Sequence, residues 1–240
     1  MNSKIDSYYN NANQSLFENI PKKLGRVLEF GCSGGALGLQ YKEQNSNTVW
    51  HGVDIFKPAV ELAQTRIDKA WTIDANNFRS TDLTGESNAK HSYDAIVYGD
   101  VIEHLIDPIK SLPAQLECLK PNGLIIACIP NVQHWSVVKK LLSGNWDYQA
   151  HGILDNTHLR FFTRNSIEKL LNTLNLQQIM MKRYSYENLG SFKHPNTVKA
   201  RNTFLNEMKK FNLANGIAFN ELDFRTFQYL IQAKPTNKSI

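Results

Sequence analysis

Leu28-Glu29-Phe30-Gly31-Cys32-Ser33-Gly34-Gly35, read together with Gly52-Val53-Asp54, decides how this chain folds. The apolar run Arg26 to Phe30 ends in a glycine-rich turn that opens into a predicted helix, Ala36 to Glu43. A second apolar run then ends in an acid, Asp54. Strand, glycine turn, helix, strand and acid is the layout of a nucleotide-binding βαβ unit. Gly31 and Gly35 carry no Cβ, so the backbone can turn sharply there and approach a ligand closely. A carboxylate at the end of the second strand can accept the protons of both ribose hydroxyls. Glu29 narrows the reading. A pyrophosphate at this turn would be repelled by the neighbouring acid, whereas a cationic ligand would be held.

Outward from this unit, bulk properties bound the rest. At 240 residues the chain fits one domain, or one domain with a small appendage, and a hydrophobic fraction of 42% suffices for a core. No apolar run approaches the ~20 residues of a membrane helix; the longest clear one is Leu124 to Ile129. The start, Met1-Asn-Ser-Lys-Ile-Asp6, lacks the apolar stretch of a signal peptide. Cys32, Cys118 and Cys128 are an odd set without close pairing, expected as structural thiols in a reducing cytoplasm. Net charge is +5, concentrated between Lys182 and Lys210, where seven basic residues face Glu187 and Glu207. Such a run is either a solvated helix face or an attraction for a phosphate-bearing substrate, a membrane surface or nucleic acid. No zinc-ligand spacing or aromatic RNA-binding motif supports the last, so no nucleic-acid partner is expected.

Strands are predicted near 26–30, 48–54, 70–74, 93–99 and 123–129, with helices near 36–44, 57–69 and 108–119 between them. This alternation predicts a parallel α/β sheet covered on both faces. Asp107-Pro108 reads as an N-cap acid and a first-turn proline, and Pro121-Asn122-Gly123 as a turn into the fifth strand. The first twenty residues predict a helical lead. After Pro130 the rhythm changes. Thr163 caps a helix with Ile167, Leu170, Leu171 and Leu174 on one face. Leu176 to Arg183 and Phe224 to Ala233 are strand candidates, with a helix-prone piece near 196–212 between them. A dehydrogenase would need a second mononucleotide half, and none is found.

Glu29-Phe-Gly31-Cys-Ser33-Gly-Gly35 resembles the first motif of class I S-adenosylmethionine-dependent methyltransferases, acid-x-Gly-x-Gly-x-Gly, with Ser33 in place of the middle glycine. The resemblance implies a Rossmann-like sheet of order 3-2-1-4-5-7-6 with strand 7 antiparallel, and S-adenosyl-L-methionine as cofactor. It implies one methyltransferase domain over 1–240, with a lead (1–22), a cofactor half (23–130) and an acceptor-side insertion with carboxyl-terminal hairpin (131–240). By the same resemblance the cofactor would be held at Glu29, Gly31, Cys32, Ser33, Gly35, Asp54, Ile55, Asp74, Ala75, Gly99 and Asp100. Asp54 would take the ribose, Asp74-Ala75 the adenine, and Glu29, Gly31, Gly99 and Asp100 the methionine end. As residues alone, Asp54 and Asp74 also read as loop or cap acids.

Tyr93 to Pro108 is similar to the strand 4 region of the branch that includes ubiquinone-biosynthesis O-methyltransferases. Neither an Asn/Asp-Pro-Pro-aromatic motif for amino-group methylation nor a cysteine beside the donor for cytosine methylation is present. His104 is the first candidate general base, since a hydroxyl becomes a competent nucleophile when imidazole accepts its proton; the alternative is a histidine that lines the cofactor pocket. Asp100, Glu103 and His104 would share a face if 100–104 were one helical turn, and the branch's similar run goes with metal dependence. Asp107-Pro108 places the helix start later, so no metal ligand is assigned.

Gly152 to Thr163 resembles a segment of methyltransferases found with bacterial glycosyltransferases in polysaccharide biosynthesis. Asn131, Trp135, Asp155, His158 and Arg160 are therefore candidate acceptor-binding residues, with His151 and His158 as further base candidates. Asp155, His158 and Arg160 read equally as an internal network positioning the next helix. Tyr8 and Tyr9 could close over the cofactor or pack on the surface. The expected activity is O-methylation of a small molecule or glycan, phosphate-bearing or not. A quinone or phenolic acceptor, or a non-catalytic cofactor-binding sensor, are the alternatives.

Overall fold

The computed structural model describes residues 10–86, 89–186 and 193–236. Seven strands form one sheet: β1 (Arg26–Phe30), β2 (Val49–Asp54), β3 (Lys69–Thr72), β4 (Tyr93–Gly99), β5 (Leu119–Pro130), β6 (Leu176–Tyr184) and β7 (Gln228–Pro235). Their order is β3-β2-β1-β4-β5-β7-β6. β1 to β5 pair in parallel, and β7 runs antiparallel to both β5 and β6. The topology is the one the resemblance implied.

Helices cover both faces: α1 (Gln14–Phe17), α2 (Ala36–Gln44), α3 (Lys57–Ala63), α4 (Pro108–Leu116), α5 (Trp135–Leu142), α6 (Arg164–Thr173), α7 (Pro195–Ala214) and α8 (Glu221–Arg225). The central strands are apolar on both sides because both faces are buried. One layer gathers Phe30, Ile96, Tyr98, Ile129, Ile167 and Tyr229. The other gathers Leu16, Val27, Tyr41, Trp50, Val97 and Cys128. All three cysteines are buried thiols without a disulfide. α4 starts as predicted, with the Asp107 side chain accepting from Lys110 N and Pro108 in the first turn.

Four boundaries differ from expectation, each for a local reason. Among the described residues, the amino-terminal lead forms one helical turn, α1, rather than a long helix. α3 stops at Ala63, because Asp68 is recruited to accept Trp50 N at 2.7 Å and to pair with Lys42. Pro121-Asn122-Gly123 lies inside β5; the interruption is absorbed as a register shift against β4 between Tyr93 and Ala95. Phe224 belongs to the short helix α8, whose cap Asn220 accepts from Leu222 N, so β7 begins only at Gln228.

Candidate active site

In an open sheet of this order the crevice lies outside the carboxyl ends of the strands, where β1 and β4 send their connections to opposite faces. A cleft of about 1200 Å³ opens there. It runs from the Glu29–Ser33 turn, past Gly99, Asp100 and Glu103, to His104, His151, Asp155 and His158. A pocket for one drug-sized ligand measures roughly 300–1,000 Å³, so the cleft has room for a donor and an acceptor together.

The β1 turn is built from the backbone outward. Gly31 N and Cys32 N donate to Val53 O at 2.8 and 3.1 Å, tying the turn to the end of β2. Asp54 completes the tie, its Oδ2 accepting from Ser33 N and its Oδ1 from Phe56 N, both at 2.9 Å. Each carboxylate oxygen keeps a second lone pair for a ligand hydroxyl. Gly31 sits at φ +71°, and a Cβ there would meet Val101 Cγ2 at 2.4 Å. Gly31→Ala is therefore expected to destabilise the fold by about 1–3 kcal/mol through left-handed strain alone, with the Val101 contact adding to it; urea unfolding measures the loss. Ser33, also left-handed at φ +48°, points a buried hydroxyl Oγ with no protein partner among the described residues.

Glu29 is buried at the floor of the cleft, where Trp50 Nε1 donates to its Oε2 at 2.9 Å. Burial drives its carboxyl from the ordinary 4.5 up to about 8; the Trp50 hydrogen bond opposes the rise and the Asp54 charge adds to it. Between those two values Glu29 holds a proton in the folded chain that the unfolded chain has lost, so its contribution to stability falls as pH rises. A cationic ligand favours the ionised form. Its binding should therefore release a proton below pH 8 and tighten as pH rises toward that value. Calorimetry in buffers of different ionisation enthalpy reads the proton count, which Glu29→Gln should reduce.

The acceptor end is a cluster of three side chains. His158 Nδ1 lies 3.0 Å from Ile153 O and His104 Nδ1 lies 3.1 Å from Thr157 O. A carbonyl accepts only, so both rings carry Nδ1–H and keep Nε2 as the acceptor. The rings meet edge to face with centroids 4.9 Å apart. His158 is buried, which lowers its pKa, and the neighbouring His104 lowers it further. Glu103 Oε1 lies 4.0 Å from His158 Nε2. Both Glu103 carboxylate oxygens are buried without a partner among the described residues, and burial, with the nearby Asp100 charge, raises its pKa toward the neutral acid. Ligand atoms of Glu103, His104 and His158 all fall within 4.8 Å of one another, a set that could hold a divalent ion. Asp100 is not in it: its carboxylate accepts from Asn13 and Gln228, and Ile102–His104 is a single 3-10 turn rather than an α-helical one.

Other candidates fall elsewhere. Gly35 caps α2 and approaches Ala63, leaving no room for a side chain. Ile55 is largely exposed beside Asp54. Asp74 organises its own loop, accepting from Asn76 N and Asn77 Nδ2, while Ala75 O accepts from Gln115. Asn131 is buried and donates to Asp223 O and Thr226 O, and Trp135 packs with Leu205 and Phe224. Arg160 donates to Ile106 O, and its backbone N–H binds Glu103 O, locking the His158 loop onto the His104 loop. None of these seven lines the main cleft, and neither does Asp54, which stands behind the turn through its bond from Ser33 N. Asp155 lines the cleft while also accepting from Thr157 N and Oγ1.

Two features escaped the sequence. Residues Asn11 to Leu16 lie across the cleft mouth, held by Asn13 to Asp100 and by Ser15 to Tyr186, whose hydroxyl donates to Gln228. Tyr8 and Tyr9 lie outside the described residues. Trp50, which positions Glu29, reads in sequence as an ordinary strand residue.

The site fits a sulfonium nucleoside on its own chemistry: a buried acid for the cation, a carboxylate at the second strand end, and the orphaned Ser33 hydroxyl. Comparison with known proteins points the same way. A family model described as "Methyltransferase domain" matches residues 1–179. A ubiquinone biosynthesis O-methyltransferase from Cereibacter sphaeroides is 29% identical over 122 residues, covering 50% of this chain and 47% of that protein. Its namesake from Dinoroseobacter shibae is 26% identical over 164 residues, covering 68% and 64%. The chain thus spans between about half and just under two thirds of these curated relatives. In fold it is similar to an S-adenosylmethionine-dependent methyltransferase from Mesorhizobium loti (TM-score 0.57, 12% identity, 96% and 99% of the chains covered). It is also similar to the PH0226 protein from Pyrococcus horikoshii (TM-score 0.56, 13% identity, 98% and 92% covered).

Proposed function

The chain belongs to the class I S-adenosylmethionine-dependent methyltransferases, its methyltransferase domain being matched over residues 1–179, and on that premise we propose that it methylates a hydroxyl oxygen of a saccharide or saccharide-linked intermediate. One observation carries the reading: a single cleft joins the Glu29–Ser33 turn to the His104/His158 pair, so donor and acceptor can lie in line.

The cofactor supplies a methyl carbon activated by its sulfonium. Glu29 holds the positive end, Asp54 takes the ribose hydroxyls, and the main-chain ties at Gly31 and Cys32 keep the turn in place. His158 Nε2 accepts the acceptor's hydroxyl proton as the new C–O bond forms. Glu103, whose Oε1 lies 4.0 Å from His158 Nε2, is a neutral acid within reach of the same oxygen. His104 lines the wall, its ring edge to face against that of His158. Asp155, Asn156 and Thr157 line the outer cleft and offer polar edges suited to a sugar.

A quinone or phenolic acceptor is the second reading, favoured by the names of the curated relatives; the divalent set at Glu103, His104 and His158 belongs with it. Labelled S-adenosylmethionine incubated with nucleotide sugars, lipid-linked saccharides and phenols, with and without magnesium, separates the two. Label in a saccharide supports the first reading, and magnesium-dependent label in a phenol replaces it with the second. Donor binding with label in no product would recast the chain as a sensor.

A further inference from the structure

Resting on the saccharide reading above, we propose that the acceptor is an amino sugar with a free amine, whose ammonium is held by Glu103 and Asp155 beside the hydroxyl that is methylated. The charge of the cleft points to it. The chain as a whole holds 27 Lys and Arg against 22 Asp and Glu. The cleft reverses that balance: Glu29, Asp100, Glu103 and Asp155 line it, and among the described residues that do so there is no Lys or Arg. Arg160, in the same loop as His158, is engaged by Ile106 O and lies outside the lining. A phosphate inside the cleft would meet repulsion, and a cation attraction.

The donor matches two of these four acids: its sulfonium and its amino-acid ammonium are the positive groups at the turn, where Glu29 and Asp100 stand. Glu103 and Asp155 are left at the acceptor end. Glu103 is 1% exposed, and neither of its carboxylate oxygens has a partner among the described residues. A polar group buried in this way is destabilising until a ligand supplies its hydrogen bonds. Asp155 receives both Thr157 donors on Oδ1, and Oδ2 receives none among the described residues. His104 and His158 give their Nδ1–H to carbonyls and add two acceptor nitrogens, so acceptors crowd this end of the cleft. An ammonium is their complement, with three N–H donors and no acceptor. Without a cation beside it Glu103 is the neutral acid; a cation favours its carboxylate. Glu103 Oε1 lies 4.0 Å from His158 Nε2, so an ammonium and a hydroxyl on adjacent ring carbons reach one each. His158 takes the hydroxyl proton as the oxygen bonds the methyl carbon and the methyl–sulfur bond breaks, sulfur leaving with the electron pair as a neutral thioether. The ammonium keeps its protons, and by withdrawing electrons it makes the neighbouring hydroxyl easier to deprotonate.

The test is methyl transfer by the full chain from labelled S-adenosylmethionine to matched panels: sugars with a free amine at each ring position in turn, their N-acetyl forms and the parent sugars. Free amines are expected to give kcat/KM about tenfold or more above the other two panels, with the label on oxygen. Glu103→Gln and Asp155→Asn should each raise KM for the amine by about tenfold or more and narrow its advantage over the parent sugar. Calorimetric binding of S-adenosylhomocysteine, expected unchanged in both variants, shows that they fold and tests the cofactor reading separately. Magnesium should inhibit, because it competes with the ammonium for the Glu103 oxygens. Equal or better turnover of the N-acetyl or parent sugars overturns this inference and leaves the saccharide reading standing. Label on the nitrogen, or activation by magnesium, overturns the place given to the ammonium. Label in phenols alone, or in no sugar of any panel, overturns both readings.

Discussion

His158→Ala is expected to lower kcat by about 10²–10⁴-fold, the usual contribution of a positioned general base, while S-adenosylhomocysteine binds as before. The expectation follows from how the ring is held. Ile153 O takes Nδ1–H, burial keeps the imidazole neutral, and Nε2 remains the acceptor beside the Glu103 carboxyl. His158→Asn separates chemistry from folding, because its amide N–H can occupy the place of Nδ1–H and keep the Ile153 bond without offering a base. Turnover should be as low in the Asn variant as in the Ala variant, with unfolding closer to wild type. Single-turnover rates at saturating donor measure this, and near-normal rates in both would move the base to His104 or His151.

Asp54→Ala should produce the largest loss of donor affinity. Two charge-assisted hydrogen bonds to ribose are worth about 1–3 kcal/mol together, a factor of roughly 5–150 in Kd. The carboxylate also accepts from Ser33 N and Phe56 N. Its removal therefore loosens the turn that presents Ser33 as well as the ribose contact. Asp54→Asn retains one acceptor oxygen and should fall between the two. Titration calorimetry with S-adenosylhomocysteine reads the effect; unchanged binding in Asp54→Ala would remove this residue from the ribose.

What was legible in the chain is what is encoded over short distances. Glu29, Gly31, Ser33 and Asp54 could be placed because strand, turn and helix follow one another, and each strand's apolar run marks where its carboxyl end must lie. That the sheet is parallel followed from the same alternation; its strand order came only with the family resemblance. Asn131 and Trp135 illustrate the opposite case. Their types suit a sugar site, yet Asn131 is drawn to the carbonyls of Asp223 and Thr226, and Trp135 to Leu205 on α7. Asp74, expected beside the adenine, also accepts from Asn76 N and Asn77 Nδ2 in its own loop. Side-chain type says what a residue can bind; only its partners decide what it does bind.

The sequence by itself determined the sheet, the acid beside the glycine turn and hence a preference for a positively charged nucleoside, since these depend on backbone sterics and charge within single βαβ units. Tertiary structure alone decided which histidines meet, that Glu103 rather than Asp100 joins them, and that Asn13 to Leu16 cover the cleft. Those pairings join residues more than fifty positions apart, from loops whose conformations no local pattern specifies. They exist because assembling the sheet brings the carboxyl ends of β4 and β5 and the start of β7 to one edge, and burial there makes polar side chains find partners in other loops.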